Sequence, residues 1–317
     1  VIVHDDKIIG EGWHKKAGEP HAEVNAVNSV KDKSLLKEAT IYVSLEPCSH
    51  FGKTPPCCDL IIAKEIPNVV VGTVDPFAKV AGNGIKKLVE SGKNVTVGIL
   101  EDECNELNKR FFTFHQKQRP YIILKWAETA DGFISPISKE EKSPVWITNP
   151  YSRQLVHKWR TEEQAILVGT NTVLDDNPKL DARDFSGNNP IRIVLDKSGK
   201  ISENYHVKNN SQKTIFITES ENFISTENCI YENAIFDIHL ISSICEILYK
   251  NNIQSVIIEG GSKTLQSFID ANLWDEARVF KGDTTFQNGI LAPNISGNPV
   301  AGFDIMNDEL KIFKNYD

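Results

Sequence analysis

Short runs of aliphatic and β-branched residues alternate along this chain with stretches whose apolar positions recur every three or four residues. In the first third the strand-like runs are VIV (1–3), TIYVSL (40–45), NVVVGTV (68–74) and NVTVGIL (94–100). Helical spacing occupies 21–31, 57–65, 83–91 and 101–116, and the turns AGNG (81–84) and SGKN (91–94) separate elements. Strands and helices that alternate in this way predict an α/β fold, a sheet covered by helices.

QKQRP (116–120), polar and closed by a proline, reads as a linker. A second alternation follows: YIILKWA (121–127), a helix over SRQLVHKWR (152–160), then AILVG (165–169), IRIVLD (191–196), TIFIT (214–218) and SVIIEGG (255–261). Residues 197–250, rich in Asn, Ser and Glu, give no clear period, and no internal repeat or low-complexity tract interrupts the pattern. Two α/β domains are expected, residues 1–117 and 118–317.

Composition narrows the function. The chain has 317 residues, 40% hydrophobic and 25% charged, which is ordinary for globular domains. Its net charge is −8, and neither half carries the basic surplus that binding a phosphate backbone needs, so nucleic acid is not an expected partner. No apolar run approaches the roughly 18 residues of a membrane span, so no membrane association is expected. A small-molecule substrate and a cytoplasmic location fit best. The single methionine is Met306 and residue 1 falls inside a strand-like run, so a segment upstream of this sequence is expected. The six cysteines are too few for a disulfide scaffold. Cys104, Cys229 and Cys245 stand apart and read as small buried hydrophobes, whereas Cys48, Cys57 and Cys58 cluster.

That cluster changes the picture when His21-Ala22-Glu23 is set beside it. The histidine follows Pro20 at a helix head, Cys48 follows Glu46-Pro47 at a strand end, and Cys57 follows Pro55-Pro56 at another helix start. Two thiolates and one imidazole make a three-ligand zinc site with a fourth position open to water. A helix start also favours the thiolate form of Cys57. Positions 21 and 23 of a helix point about 200° apart, which suits Glu23 to carrying a proton rather than to ligation. Cys58, turned about 100° from Cys57, stays outside the ligand set, and His50 is expected in substrate contact or as plain loop polarity. A His-x-Glu alone would read as a polar helix start and the cysteines as buried. Together they read as the zinc-deaminase pattern, here with the two cysteines nine residues apart instead of three.

The segments HAEVNA (21–26), EPCSHFGKTPPC (46–57), DPFAKVAGNGI (75–85), LKWAETADG (124–132), VWIT (145–148), LVGTNTVLDDNP (167–178) and IIEGGSKTL (257–265) resemble the bifunctional deaminase–reductases of riboflavin biosynthesis over nearly the whole chain. The resemblance implies a cytidine-deaminase-like three-layer zinc domain followed by a dihydrofolate-reductase-like α/β domain. It implies hydrolytic removal of the ring amine of 2,5-diamino-6-(5-phosphoribosylamino)pyrimidin-4-one, then reduction of the ribosyl side chain to ribityl by NADPH. By the same resemblance His21, Cys48 and Cys57 hold Zn2+ and Glu23 is the catalytic proton shuttle. Ala127, Trp146, Thr172, Asp176, Gly261, Ser262, Lys263, Thr264, Leu265, Gln266 and Ser267 correspond to NADPH contacts. Arg160, Leu180, Arg183 and Glu259 correspond to substrate contacts.

The second half says less without that resemblance. It has no G-x-G-x-x-G. SVIIEGGSKTLQSFI (255–269) reads as strand, glycine turn and helix, an arrangement that can present backbone N–H groups to phosphate. Arg160 and Arg183 could clamp a phosphate or simply be solvated, and Trp146 is by default a core aromatic. Hydride transfer therefore rests on the resemblance. The chain departs from the family pattern in lacking its opening helix and first loop, in Pro144 where a substrate-facing serine is expected (Ser143 lies one position earlier), and in Phe77 where asparagine is common. Two other readings stay open: a deaminase acting alone with a degenerate or dimerising C-terminal domain, and a binding protein with structural zinc. An open fourth zinc position beside Glu23 argues against the last. A shared sheet edge or domain face leads us to expect a homo-oligomer.

Overall fold

The computed structural model describes residues 1–16, 18–76, 81–138 and 144–316, so Phe77 and Ser143 lie outside the described residues. The chain divides into two compact units, Val1–Lys117 and Gln118–Asp317.

The first unit opens with a hairpin of β1 (Ile2–His4) and β2 (Lys7–Gly10). Asp5 and Asp6 join them with φ of 46° and 56°, the left-handed pair that matches the twist of two antiparallel strands. There follow α1 (Ala22–Ser29), a 3-10 turn (Lys33–Glu38), β3 (Thr40–Leu45), α2 (Cys57–Ala63), β4 (Asn68–Thr73), α3 (Asn83–Glu90), β5 (Asn94–Val97), α4 (Glu101–Leu107) and α5 (Lys109–Lys117). The sheet order is β2-β1-β3-β4-β5, with β1 antiparallel to both neighbours and β3, β4 and β5 parallel. Val27 of α1, Ile61 of α2 and Leu88 of α3 close over Ile2, Ile41, Val69 and Val71 of the sheet.

Two elements end earlier than their apolar pattern predicts. The strand expected over 94–100 stops at Val97, because Gly98 and Leu100 adopt φ of 88° and 53° and turn the chain into α4. The helix expected over 101–116 is two helices broken at Asn108, whose side chain bonds back to the Cys104 carbonyl at 2.8 Å.

What fixes α1 is a close approach of backbone to backbone. After β2 the chain runs flush along the helix, and a Cβ on Gly12 would sit 2.3 Å from the Ala26 nitrogen and 2.4 Å from the Ala22 oxygen. The Glu11 N–H donates to Ser29 Oγ at 2.8 Å, and Asn25 Nδ2 donates to the Trp13 carbonyl at 2.8 Å. Both bonds tie α1, and with it the His21–Glu23 start, to the hairpin.

The second unit comprises β6 (Tyr121–Glu128), β7 (Phe133–Ser135), α6 (Pro150–Glu162), β8 (Ala165–Gly169), α7 (Thr170–Asp176), β9 (Ile191–Leu195), β10 (Thr214–Thr218), β11 (Cys229–Asn233), α8 (Leu240–Lys250), β12 (Ser255–Gly260), α9 (Ser262–Asp270), β13 (Glu276–Lys281), β14 (Ile290–Leu291), β15 (Ala301–Ile305) and β16 (Asp308–Lys314). Its main sheet has the order β11-β10-β9-β8-β12-β6-β13-β16-β15, parallel from β11 to β13 and antiparallel beyond. Alternate residues of β6 serve opposite faces: Ile122 and Leu124 pack with Leu248 of α8 and Leu265 and Phe268 of α9, while Tyr121 and Ile123 pack with Val156 and Trp159 of α6. Burial on both faces explains why these strands read as unbroken apolar runs. β13 escaped the pattern because two buried charges sit in it, Arg278 donating to Glu276 at 2.6 Å.

β12 enters between β6 and β8, although β8 to β11 intervene in the chain. Such a reversal opens a crevice at the carboxyl ends of the strands, where ligands bind in open α/β sheets. Among the described residues no helix is long and apolar enough to cross a membrane.

The glycine contact on α1 gives a direct test. Gly12→Ala should destabilise the first unit by about 1–3 kcal/mol, the usual cost of overpacking a closed contact, read as a lower urea midpoint. An unchanged midpoint would show that α1 is held elsewhere.

Candidate metal centre and strand-end crevice

His21 is the residue just before α1 rather than part of it, with extended φ and ψ of −67° and 168°. Its ring therefore swings out of the helix register, and the 200° separation expected from Glu23 does not apply. Cys48 lies three residues beyond β3, and Cys57 is the first residue of α2. The three donor atoms lie within 4.8 Å of one another. His21 Nδ1 is 3.6 Å from Cys48 Sγ and 3.4 Å from Cys57 Sγ. A tetrahedral zinc ion, with nitrogen at about 2.0–2.1 Å and sulfur at about 2.3 Å, puts such atoms roughly 3.5 Å apart. The donor set fits zinc.

At the start of α2 the Cys57 N–H points at Cys48 Sγ, 3.3 Å away. The Cys57 thiol also donates to Cys48, which holds Cys48 well below the usual thiol range and pushes Cys57 up. Glu23 is buried, and burial raises its pKa against the opposing hydrogen bonds from its own N–H and from Cys57. Cys58 is outside the donor set, its thiol pushed up to about 12 mainly by burial. His50 is outside it too.

Three residues near this centre carry no signal of their own in the sequence. Thr54 Oγ1 is 3.3 Å from His21 Nε2, and the His14 ring lies 5.0 Å from that of His21, centroid to centroid. Glu46, which reads as a strand end, is buried and accepts four backbone N–H groups. Gly84 and Ile85 donate to Oε1 at 2.8 and 3.2 Å, and Gly82 and Asp75 to Oε2 at 2.9 and 3.2 Å.

In the second unit a buried ion group is built around Glu259 of β12. Arg160 grips its carboxylate with both prongs, Nε to Oε1 at 2.9 Å and Nη2 to Oε2 at 2.6 Å, and Lys125 Nζ stands 3.7 Å from Oε2. Burial alone would raise the Glu259 pKa, but the charges of Arg160 and Lys125 more than offset it and hold the group at about 2. Arg160 Nη1 also bonds the Asp181 carbonyl at 2.9 Å. Arg160 is therefore not a solvated surface arginine. Arg183 is more open, 42% exposed, and pairs with Asp181 at 2.5 Å. His157 Nε2 holds the same segment through Asp184 Oδ2 at 3.1 Å. Leu180 is buried in the core with φ of 54°.

The glycine turn lies where the ends of β8 and β12 meet α7 and α9. A Cβ on Gly260 (φ 147°) or Gly261 would lie 3.4 Å from Thr172 Oγ1, and one on Gly169 would lie 2.8 Å from Thr264 Oγ1. Ala127 is half-buried near the end of β6, and Asp176 closes α7. Lys263 is exposed on the first turn of α9 and Ser262 donates to the Leu291 carbonyl at 2.7 Å. Further along, the side chains face elsewhere: Leu265 is fully buried in the core, Gln266 bonds Asp270 at 2.7 Å, and Ser267 bonds back to Lys263 at 2.9 Å. Trp146 is not the core aromatic that its type suggests. It is 55% exposed, with the Arg153 guanidinium 4.6 Å over its ring.

Comparison with known proteins follows the same division. Residues 1–73 match the cytidine and deoxycytidylate deaminase zinc-binding region, and residues 120–284 match the RibD C-terminal domain. The riboflavin biosynthesis protein RibD of Aquifex aeolicus is 39% identical over 324 residues, covering 99% of this chain and 86% of its own. The chain belongs to the RibD family. Among solved structures, the diaminohydroxyphosphoribosylaminopyrimidine deaminase/5-amino-6-(5-phosphoribosylamino)uracil reductase of Thermotoga maritima superposes with a TM-score of 0.88 at 37% identity, covering 99% of this chain and 90% of that one. RibD of Acinetobacter baumannii superposes with the same TM-score at 29% identity and the same coverage. A zinc-binding deaminase region thus precedes a RibD-type reductase region in this chain.

The buried ion group gives a pH test. Because the Glu259 pKa is depressed by folding, its stabilisation is fully present above the unfolded value of about 4.3 and is lost as pH falls through about 2. Glu259→Gln should be less stable than the parent by about 3 kcal/mol at pH 7, the scale of breaking a buried pair. It should also lose less stability than the parent between pH ~4.3 and pH ~2. Urea midpoints at both ends of that window measure the difference; parallel acid profiles would remove Glu259 from the account.

Proposed function

We propose that this RibD-family chain catalyses both steps named for its Thermotoga maritima relative. Residues 1–117 carry out the zinc-dependent hydrolytic deamination of 2,5-diamino-6-(5-phosphoribosylamino)pyrimidin-4-one. Residues 118–317 carry out the NADPH-dependent reduction of the ribosyl side chain to ribityl. The observation that carries the reading is the buried Glu23 carboxyl group, two residues from His21, beside a three-donor cluster that fits zinc. A purely structural zinc site has no use for such a carboxyl group.

His21, Cys48 and Cys57 would hold the ion, and a bound zinc supplies Lewis acidity that makes water nucleophilic near neutral pH. Water enters, ammonia leaves, and one proton must travel between them. Glu23 carries it, accepting from the attacking water and delivering to the departing amine. Its raised pKa brings its proton affinity closer to what a carrier at neutral pH needs.

In the second unit Ala127, Trp146, Thr172, Asp176 and the turn from Gly261 to Ser267 serve NADPH. The closely packed glycines and Thr264 shape the crevice floor there, while Leu265 and Ser267 contribute by holding α9 in place. Arg160, Leu180, Arg183 and Glu259 serve the substrate. Arg183 has the accessible guanidinium and meets the phosphate, and Arg160 holds the carboxylate and the Asp181 backbone in register.

The enzyme works as a homo-oligomer in the cytoplasm. In support, β15 is an outer strand with Phe303 and the adjoining Met306 exposed, and all six cysteines are free.

Feeding the diaminopyrimidinone phosphoriboside with NADPH, and following ammonia and NADPH separately, tests the assignment. Both should change, one ammonia per NADPH at completion. Glu23→Gln should cut ammonia release by about a hundredfold or more, typical of losing general acid–base catalysis. It should retain zinc and oxidise NADPH normally when given the deaminated substrate. Near-normal ammonia release would return Glu23 to the role of a polar helix start. Sedimentation should report more than one chain per particle.

A further inference from the structure

Around the two cysteine donors runs a closed ring of contacts made by residues that are not donors to the ion. Glu46 Oε1 accepts the Gly84 N–H at 2.8 Å. The Gly84 carbonyl in turn faces the Cys58 thiol at 3.5 Å, and the same thiol donates to the Pro47 carbonyl at 3.2 Å. Pro47 follows Glu46 in the chain, so the ring closes. Cys48 is the next residue after Pro47, and Cys57 the one before Cys58. Two further bonds lace these segments together, the Cys58 N–H to the Cys48 carbonyl at 3.1 Å and the Cys57 N–H to Cys48 Sγ at 3.3 Å. Only glycine fits at position 84: a Cβ there would lie 2.1 Å from the Pro47 oxygen and 3.2 Å from Cys58 Sγ.

Without the ring, the Cys48 segment is a strand extension followed by a loop and would swing freely. With it, the start of α3, the end of β3 and the start of α2 are one unit, because the Glu46 carboxylate takes the place of a side-chain cap at the head of α3. We propose that Glu46 and Cys58 are positioning residues of the metal centre: by locking the Pro47–Cys48 and Cys57–Cys58 segments against Gly84, they keep both sulfurs facing His21 and set how slowly zinc leaves. This rests on the zinc reading above. Outer-shell groups of this kind change metal affinity by about ten- to a hundredfold when removed.

Glu46→Gln keeps the side chain's shape but sets an N–H2 group against backbone N–H donors, breaking two of the four bonds. Cys58→Ala removes the shared thiol while leaving Cys57 intact. Each variant, loaded with zinc, should still hold near one ion per chain but pass it to a chromogenic chelator ten- to a hundredfold faster than the parent. The double variant should fall well short of the product of the two effects, since both cut the same ring. Val69→Ala is the control, opening the sheet core of the same unit near the amino end of β4 and away from the ring and from His21, and should release zinc at close to the parental rate. Reduction of the deaminated substrate should be unaffected throughout. Parental release rates in both single variants would overturn the proposal, as would equal acceleration in Val69→Ala, which would reduce the effect to general stability. If Glu46→Gln fails to fold, Cys58→Ala alone decides. A parent chain that binds no zinc would sink the metal-centre reading itself, and the ring's role with it.

Discussion

Parallel strand pairing governs where chemistry can occur in this chain. A parallel sheet buries its strands on both faces and leaves its backbone groups satisfied within the ladder. Only past the carboxyl ends of the strands is there backbone free to bind and space to bind in. Both units obey this. In the first, Glu46, Pro47 and Cys48 follow directly on β3, and Asp75 follows β4. In the second, Ala127, Gly169 and Glu259–Gly261 stand at the ends of β6, β8 and β12, three strands adjacent in the sheet but distant in the chain.

The two sites solve the burial of charge differently. Among the described residues, the first unit meets its buried Glu46 with main-chain donors, four N–H groups whose bonds involve no charged side chain. Backbone donors are rigid, so the carboxylate gains precision of position as well as compensation. The second unit pairs Glu259 with Arg160 and Lys125, charges on long side chains that must be held by their surroundings. That pairing leaves the Arg160 fork occupied and Arg183 the more accessible arginine.

Much of this was legible in the amino-acid sequence. The alternating strands and helices of the first unit, and the convergence of His21, Cys48 and Cys57, follow from apolar period and from residue type at element ends. What stayed hidden has physical causes. Strand β2 follows only two turn residues after β1 and exposes much of its length, so its pattern is weak. Helix α8 does carry apolar residues at 241, 244, 245 and 248, but it lies among Asn, Ser and Glu that mask the period. Strand β13 is interrupted by the Glu276–Arg278 pair, whose burial depends on a partner two residues away. The helix wheel misplaced His21 relative to Glu23 because it assumed helical backbone one residue too early. Glu46 could not be found from spacing at all, since its donors lie 29 to 39 residues downstream.

Arg160 and His157 sit one turn apart on α6, and each reaches the irregular segment between α7 and β9, at Asp181 and at Asp184. A segment without regular structure is ordinarily where a protein tolerates added residues. Here two fixed points three residues apart remove that freedom, and an insertion between them would pull either the carbonyl of Asp181 or the carboxylate of Asp184 from its partner. The spacing from Asp181 to Asp184 is therefore set by the pitch of α6. An apparently shapeless loop is, in this fold, a measured one.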